Sequence, residues 1–194
     1  MWPRHKGALK PMSEKETPAS KEPEIVWDEK ALKRFIKGKI TLAELQGFSK
    51  ETQYKLAELG FNMVSGGKLD EAEKIFRGLV ALDPKDPYFL LASGSIAQRK
   101  GELQQAEKWY SEALERSHDH AVALANRGEV RLELGKLQEG AEDLIESLKL
   151  DPKLEQPTSQ RARALLVGLK ETLDEAAKNA SKGKPQSKAK SKNT

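Results

Sequence analysis

One pattern of 34 residues is written three times between Gln53 and Leu154, and this period constrains the fold more than any other feature. Each copy carries two glycines seven residues apart: Gly60 and Gly67, Gly94 and Gly101, Gly128 and Gly135. We interpret the first glycine as the place where two helices approach closely and the second as the turn between them, because a side chain is excluded at both. A period of this length predicts stacked helix-turn-helix units.

Apolar residues keep the same register as the glycines. They recur early in each copy, after the turn and in the second helix: Leu56, Leu90 and Leu124; Leu69, Leu103 and Leu137; Phe76, Tyr110 and Leu144. Leu-Asp-Pro closes the first and third copies, because proline cannot continue a helix. These positions are similar to the tetratricopeptide-repeat family over about 102 residues. The resemblance implies an all-α fold, a right-handed tetratricopeptide-repeat solenoid of three helix-turn-helix units.

The flanking sequence completes the domain organisation. Residues 1–23 hold four prolines among charged residues, with too little apolar surface to offset the entropy of ordering them. We predict that they form a disordered leader, and the alternative is that Trp2 and Met12 serve as a short docking motif. The remaining divisions are N-terminal helices at 24–48, three repeats at 49–156, a C-terminal capping helix at 157–180 and a disordered Lys/Ser tail at 181–194.

Two short amphipathic helices are predicted ahead of the repeats. Asp28 and Thr41 are residue types that cap a helix through a side-chain oxygen. The apolar residues of these helices are Trp27, Leu32, Phe35, Ile36, Leu42 and Leu45. Such a stripe must be covered either by the first repeat, as a cap, or by another copy of the chain, as a dimer. The pattern does not choose between the two.

Capping residues also set the expected bounds of the later helices. Ser49, Asp86 and Asp119 are predicted to begin the first helix of each repeat, and proline directly after Asp86 strengthens that assignment. The second helix of the first repeat is expected to run from about Leu69 to Leu82. Beyond Pro157, one more amphipathic helix is predicted from apolar residues on one face: Ala162, Leu165, Leu166, Leu169 and Leu173. Arg161 and Arg163 are placed on its other side.

The charge of the chain is unevenly distributed. The net charge is +4, yet residues 53–156 carry 14 Lys and Arg against 19 Asp and Glu, and residues 181–194 carry five lysines and no acid. The basic character therefore belongs to the ends, which argues against a nucleic-acid-binding surface on the repeats. Cysteine is absent, which fits a reducing cytoplasm. No apolar run is long enough to span a bilayer, and no signal peptide is expected.

We find no arrangement of residues that predicts catalysis, a cofactor or a metal site. His118 and His120 have no cysteine to complete a zinc site and are interpreted as an exposed pair in a loop between repeats. The glycines at 66–67 lie in a repeat turn and lack the Lys-Ser that follows a phosphate-binding loop. The prediction is a protein that is not an enzyme.

A repeat of this kind offers a concave groove lined by the first helix of each unit. The predicted peptide-binding residues are Tyr54, Ala57, Phe61, Val64, Tyr88, Leu91, Ser95, Gln98, Asn126 and Glu129. The first two units thus present an aromatic and apolar surface, and the third adds polar side chains. The lysines that would clamp a C-terminal carboxylate are missing, so an extended segment with apolar anchors is the predicted ligand.

The sequence also resembles the translocator chaperones of bacterial type III secretion over about 38–150. The matching stretches are Gly38–Leu45, Leu59–Asn62, Gly66–Ala72, Lys74–Phe76, Leu82–Asp83 with Asp86, and Tyr88–Leu90 leading into Gly94. The resemblance implies a bacterial cytoplasmic protein whose groove holds an apolar segment of a secreted client and whose N-terminal helices mediate dimerisation. The alternative is a scaffold or adaptor in a bacterial regulatory or motility complex that binds a folded partner.

Overall fold

A computed structural model describes residues 28–117 and 120–182. Within them the chain forms nine α-helices and no strand. The chain divides into two compact units, Met1–Arg116 and Ser117–Thr194, and each is described by itself. The leader, Trp27, His118, Asp119 and most of the Lys/Ser tail lie outside the described residues, so the predictions made for them remain predictions.

The first unit contains six helices. They are α1 (Glu29–Ile36), α2 (Leu42–Leu45), α3 (Lys50–Ser65), α4 (Leu69–Leu82), α5 (Pro87–Arg99) and α6 (Leu103–Arg116). α3 packs against α4 and α5 packs against α6, which makes two helical hairpins, and α4 joins them by packing against α5. The bounds of α4 are those that the sequence predicts. The core of the unit is aromatic as well as aliphatic, with Phe76 and Phe89 fully buried.

The second unit contains α7 (Ala121–Glu133), α8 (Leu137–Leu150) and α9 (Pro157–Lys182). α7 and α8 form the third hairpin, and α9 packs against both. Ala162, Leu165 and Leu166 of α9 meet Ala125 and Leu144 of the hairpin in one apolar cluster. The predicted terminal helix therefore covers the apolar face of the last hairpin, and its helical conformation extends two residues beyond the predicted end at 180.

The repeat glycines occupy the two places that the 34-residue period assigned to them. A Cβ on Gly94 would lie 2.6 Å from Cε1 of Tyr110, so the Tyr110 ring of α6 packs directly on the backbone of α5, where any side chain would clash. Gly67, Gly101 and Gly135 adopt φ of 76°, 78° and 77°. Only glycine takes this left-handed conformation without strain. The prediction of three equivalent hairpins is confirmed.

Side-chain caps begin four of the described helices as predicted. The side chain of Asp28 accepts a hydrogen bond from the backbone N–H of Lys30. In the same way, Ser49 accepts from the backbone N–H of Thr52, and Asp86 from that of Tyr88. Thr41 forms a capping box with Glu44, in which each side chain accepts from the other residue's backbone N–H. These bonds satisfy N–H groups that have no partner within the helix.

The observed cap of α7 lies one residue after the predicted one. The N-cap is His120, whose Nδ1 accepts from the backbone N–H of Ala123 at 3.3 Å, and Asp119 lies outside the described residues. His120 is also partly buried, so the interpretation of this residue as a solvent-exposed member of a histidine pair is wrong. A histidine can take this role only while Nδ1 is unprotonated, because the imidazolium ion has no acceptor.

We predict that His120 makes the second unit sensitive to mild acid. Burial lowers the pKa of His120, so the unfolded chain binds the proton first as the pH falls below about 6.5. The stabilising cap is therefore fully present above that pH and is lost as the pH falls through the folded-state pKa. The expected loss is about 0.5–2 kcal/mol, measured by urea unfolding at pH 8 and pH 5.5.

His120→Asn is the matched control, because asparagine also caps helices and does not titrate. The difference in stability between the wild type and His120→Asn should change with pH in the direction given above. Parallel pH profiles for the two proteins would contradict the assignment.

The N-terminal helices show where each predicted apolar residue lies. α2 packs against α4. Ala43 within α2 and Ile40 just before it are buried. In α1, Leu32 and Phe35 are partly buried, whereas Ile36 is 74% exposed. Leu42 and Leu45 of α2 are also partly buried. α2 thus covers part of the first hairpin. Dimerisation through the exposed edge of α1 remains a prediction.

Candidate functional site

Three aromatic side chains of the first unit form a continuous surface that we name the aromatic wall: Tyr54 and Phe61 of α3 and Tyr88 of α5. The ring centroids of Tyr54 and Tyr88 are 5.7 Å apart with an interplanar angle of 70°. Those of Phe61 and Tyr88 are 5.8 Å apart at 63°. Edge-to-face pairs at these distances are favourable. The wall is therefore a packed surface rather than three independent side chains.

The wall rests on the buried aromatic core of the same unit. Phe61 contacts Phe76 at a centroid distance of 5.0 Å, and Tyr54 contacts Phe89 at 5.7 Å. Phe76 and Phe89 are both fully buried. Their fixed positions hold the wall residues in place before any ligand arrives. A ligand would then bind without the entropic cost of ordering these rings.

The wall keeps surface that a partner could cover. Tyr54 is 46% exposed, while Phe61 and Tyr88 are partly buried against the core. Val64, Ser95 and Gln98, which the register also predicts as lining, are partly buried too. Gln98 is already engaged, since its Oε1 accepts from the hydroxyl of Tyr110 at 2.9 Å.

Two of the predicted lining residues are corrected. Ala57 and Leu91 are only 1% and 4% exposed, so their side chains belong to the packing rather than to a binding surface. Ala57 lies in the cluster formed with Phe76 and Phe89. Leu91 is covered because α5 packs against both α4 and α6.

Asp86 fixes one end of the wall. Its carboxylate accepts from the hydroxyl of Tyr54 at 3.0 Å and from Nζ of Lys50 at 2.7 Å, and it also caps α5 through the backbone N–H of Tyr88. Lys50 Nζ reaches Asp83 at 2.6 Å as well. Burial alone would lower the pKa of Lys50, but the hydrogen bonds to Asp83 and Asp86 raise it above its ordinary value. The sequence predicted Asp86 as a cap and missed this second role.

The tyrosines of the wall are neutral at physiological pH. Burial raises the pKa of both Tyr54 and Tyr88, and the carboxylate of Asp86 acts in the same direction. An unperturbed tyrosine already titrates near 10. The wall therefore presents uncharged rings, with one fixed hydrogen-bonded hydroxyl at its edge.

The predicted site residues of the second unit are held by α9. Arg161 donates through Nη2 to Oδ1 of Asn126 at 3.0 Å and pairs through Nε with Oε2 of Glu129 at 2.9 Å. Arg161 is exposed, as expected for a residue outside the apolar face of α9, but the sequence did not predict that its guanidinium reaches these two residues. Arg161 thus binds the amide oxygen of Asn126 and balances the charge of Glu129 within their own unit, and the part of both residues in ligand binding remains a prediction.

A buried ion cluster beside them was also missed from the sequence. Asp143 is 6% exposed and accepts from Arg127 and Arg131 at 2.8 Å. A signal was present, because the equivalent positions in the other two repeats are the apolar Ile75 and Trp109. An acid at a position that is otherwise apolar indicates a buried charge that needs partners.

In the described part of the chain, no group of His, Cys, Asp and Glu residues could hold a metal ion. The helices of the same residues include none that is long and apolar enough to cross a bilayer. What the first unit offers is a neutral aromatic surface on a rigid support, which suits recognition of apolar side chains.

Comparison with known proteins agrees with this geometry. The tetratricopeptide-repeat family profile matches residues 64–121. Low calcium response locus protein H of Yersinia pestis is 37% identical over 81 residues, which are 42% of this chain and 48% of that protein. The match thus spans about half the length of this curated relative.

Two solved structures extend the likeness. A chain of a type III secretion complex from Aeromonas hydrophila is 30% identical, with a TM-score of 0.67 over 75% of this chain and 99% of that one. SycD of Yersinia enterocolitica, a type III secretion chaperone solved with a peptide of the translocator YopD, is 27% identical, with a TM-score of 0.58 over 64% of this chain and 96% of that one.

The predicted tetratricopeptide fold is confirmed by the three hairpins and by these likenesses. The identity to the Aeromonas chain extends over nearly all of that relative. The chain belongs to the family of tetratricopeptide-repeat chaperones that serve the translocators of bacterial type III secretion.

Proposed function

We propose that this chain is a chaperone that holds an extended apolar segment of a translocator-class client against its aromatic wall. The observation that carries the proposal is the packed, partly exposed set of rings Tyr54, Phe61 and Tyr88. SycD, which is similar to this chain, binds a peptide of the translocator YopD. We further infer that the chain acts by binding alone, without catalysis, in the bacterial cytoplasm.

The dimensions of the wall suggest what the segment contains. Tyr54 and Phe61 are seven residues apart on α3, which corresponds to about 10 Å along a helix. In the extended polyproline II conformation a chain advances about 3.1 Å per residue with three residues per turn, so the side chains of residues i and i+3 of a client would lie on one face about 9 Å apart. We therefore expect two apolar anchors three residues apart in the bound segment. Each well-buried anchor contributes about 1.5–3 kcal/mol.

The test is a scan of client segments. Overlapping peptides of about 20 residues would cover the hydrophobic translocators encoded by the same bacterium, and fluorescence anisotropy would measure their binding to the purified chain. We expect one segment to bind with a Kd of about 1 µM or tighter, which corresponds to about −8 kcal/mol. Replacing its two spaced apolar anchors with serine should abolish binding.

The control is the same peptide with two other residues replaced by serine. If no segment binds to a chain whose helical content is intact, or if the anchor substitutions leave the affinity unchanged, the proposed function is wrong.

A further inference from the structure

The first twelve residues of the sequence, Met1–Met12, have no role in the function proposed above. They contain three large apolar residues, Trp2, Leu9 and Met12, together with Pro3 and Pro11. Proline disfavours helix both at its own position and at the residue before it, which leaves extended conformations. The composition is thus that of an extended segment with spaced apolar anchors, the same kind of ligand that the aromatic wall is proposed to bind.

The end of α1 is tied to the residue that precedes the edge of the wall. Gly38, which follows α1, accepts from Nζ of Lys85 through its carbonyl at 2.8 Å. Lys85 directly precedes Asp86, whose carboxylate binds the hydroxyl of Tyr54. α1 spans Glu29–Ile36 and is therefore about 12 Å long. The segment before Asp28 leaves the fold roughly one short helix from the edge of the wall.

The connecting residues are long enough to reach. Fifteen residues, 13–27, separate Met12 from Asp28. Fully extended they span up to about 50 Å, and as a flexible chain their mean end-to-end distance is about 20 Å. α3, which carries Tyr54 and Phe61, has 16 residues and is about 24 Å long. Residues 1–12 can therefore lie along the wall of their own molecule.

The charges also match. Residues 1–12 carry Arg4, Lys6 and Lys10 and no acid. Glu58 is exposed on α3, four residues after Tyr54 and three before Phe61, so it lies beside both rings. It makes no ion pair within the described residues, whereas Glu51 on the same helix pairs with Lys55. The uncompensated charge between Tyr54 and Phe61 on α3 is negative, and the segment is positive.

We propose that residues 1–12 occupy the aromatic wall of their own chain when no client is bound, with Trp2 as the apolar anchor and the basic residues facing Glu58. This inference rests on the proposed function, because it assigns a second ligand to the same surface. The segment acts as a tethered competitor that shields the rings and that a client segment must displace.

The first test uses the full chain and its Trp2→Ala variant. The probe is a fluorescein-labelled peptide of residues 1–12, measured by anisotropy. A short flexible tether gives an effective concentration of the order of millimolar, so for a peptide that binds with a Kd of about 100 µM the tethered copy should weaken binding of the free peptide about tenfold in the wild type. Trp2→Ala should restore most of the affinity of the chain for the free peptide. Ile25→Ala, in the connecting residues, is the matched control and should not change the affinity.

A second variant tests whether the peptide binds to the aromatic wall. Phe61→Ala/Tyr88→Ala removes two rings of the wall and should abolish binding of the peptide to the Trp2→Ala chain. Equal affinity of the peptide for the wild type and for Trp2→Ala would overturn the proposal. So would a tenfold factor that appears only as the protein concentration rises, because that result would place the segment of one copy on another copy.

The two proposals can fail separately. If a translocator segment binds to the wall and the peptide of residues 1–12 neither binds nor competes, the tethered competitor is wrong and the chaperone function stands. If the peptide binds to the wall and no translocator segment does, the chaperone function is wrong and the wall serves the chain's own segment.

Discussion

Replacing Phe61 and Tyr88 together with alanine is expected to weaken binding of the client segment by about 10²- to 10⁴-fold. Each ring provides an apolar contact worth about 1.5–3 kcal/mol when it is fully buried by a ligand, and every 1.4 kcal/mol is a factor of ten in Kd. The two rings also contact one another, with centroids 5.8 Å apart, so their losses need not add. The measurement is an anisotropy titration with the segment identified by the peptide scan.

Leu59→Ala is the matched control for this prediction. Leu59 lies on the same helix as Phe61 and is 44% exposed, but it is not one of the wall residues. The substitution should change the affinity by less than a factor of about three, consistent with the small effects of most contacts outside a binding hot spot. Phe61 also packs on Phe76, so the double variant must first be shown by circular dichroism to remain helical. A folded double variant with wild-type affinity would exclude the wall as the binding surface.

Gly94→Val is expected to destabilise the first unit by about 3 kcal/mol. A Cβ at this position meets Cε1, Cδ1 and Cζ of Tyr110 at 2.6, 2.7 and 3.0 Å. Tyr110 is fully buried and its hydroxyl is bonded to Gln98, so the ring cannot swing away. Inserting atoms into a packed core typically costs about 1–3 kcal/mol, and valine adds two further methyl groups. Urea unfolding followed by circular dichroism measures the change.

Gly78→Val is the control for that prediction, because Gly78 is also a helical glycine and a Cβ there meets nothing within 4 Å. Valine is a slightly better helix former than glycine, so the free energy of unfolding should stay within about 0.5 kcal/mol of the wild type. Equal destabilisation by the two substitutions would show that the close packing of the Tyr110 ring on Gly94 does not determine the effect.

Periodicity alone was sufficient to predict the hairpins. The 34-residue spacing identified Gly94 as a close approach and Gly101 as a turn. In the structure a Cβ at the first would lie only 2.6 Å from the Tyr110 ring, and the second has a φ of 78°. The same register brought Tyr54, Phe61 and Tyr88 to one surface. Such positions are fixed by local geometry that repeats along the chain, so a single sequence carries the information.

The errors and omissions came from contacts that the repeat does not encode. Leu91 occupies a lining position in the register but is buried, because α5 is packed by α4 on one side and α6 on the other. Arg161 binds Asn126 and Glu129 from a helix outside the repeats. A long flexible side chain can reach either side of its helix, and the helical pattern of α9 could not decide which.

Site-specific photocrosslinking shows directly whether the client segment lies on the aromatic wall. The photoreactive amino acid p-benzoylphenylalanine would replace Tyr54 in one protein and Leu59 in another. These two residues lie on the same helix and are 46% and 44% exposed, so they differ in position and hardly in accessibility. We expect efficient crosslinking of the client segment from position 54 and background levels from position 59. Equal crosslinking from both positions, or stronger crosslinking from position 59, would contradict it.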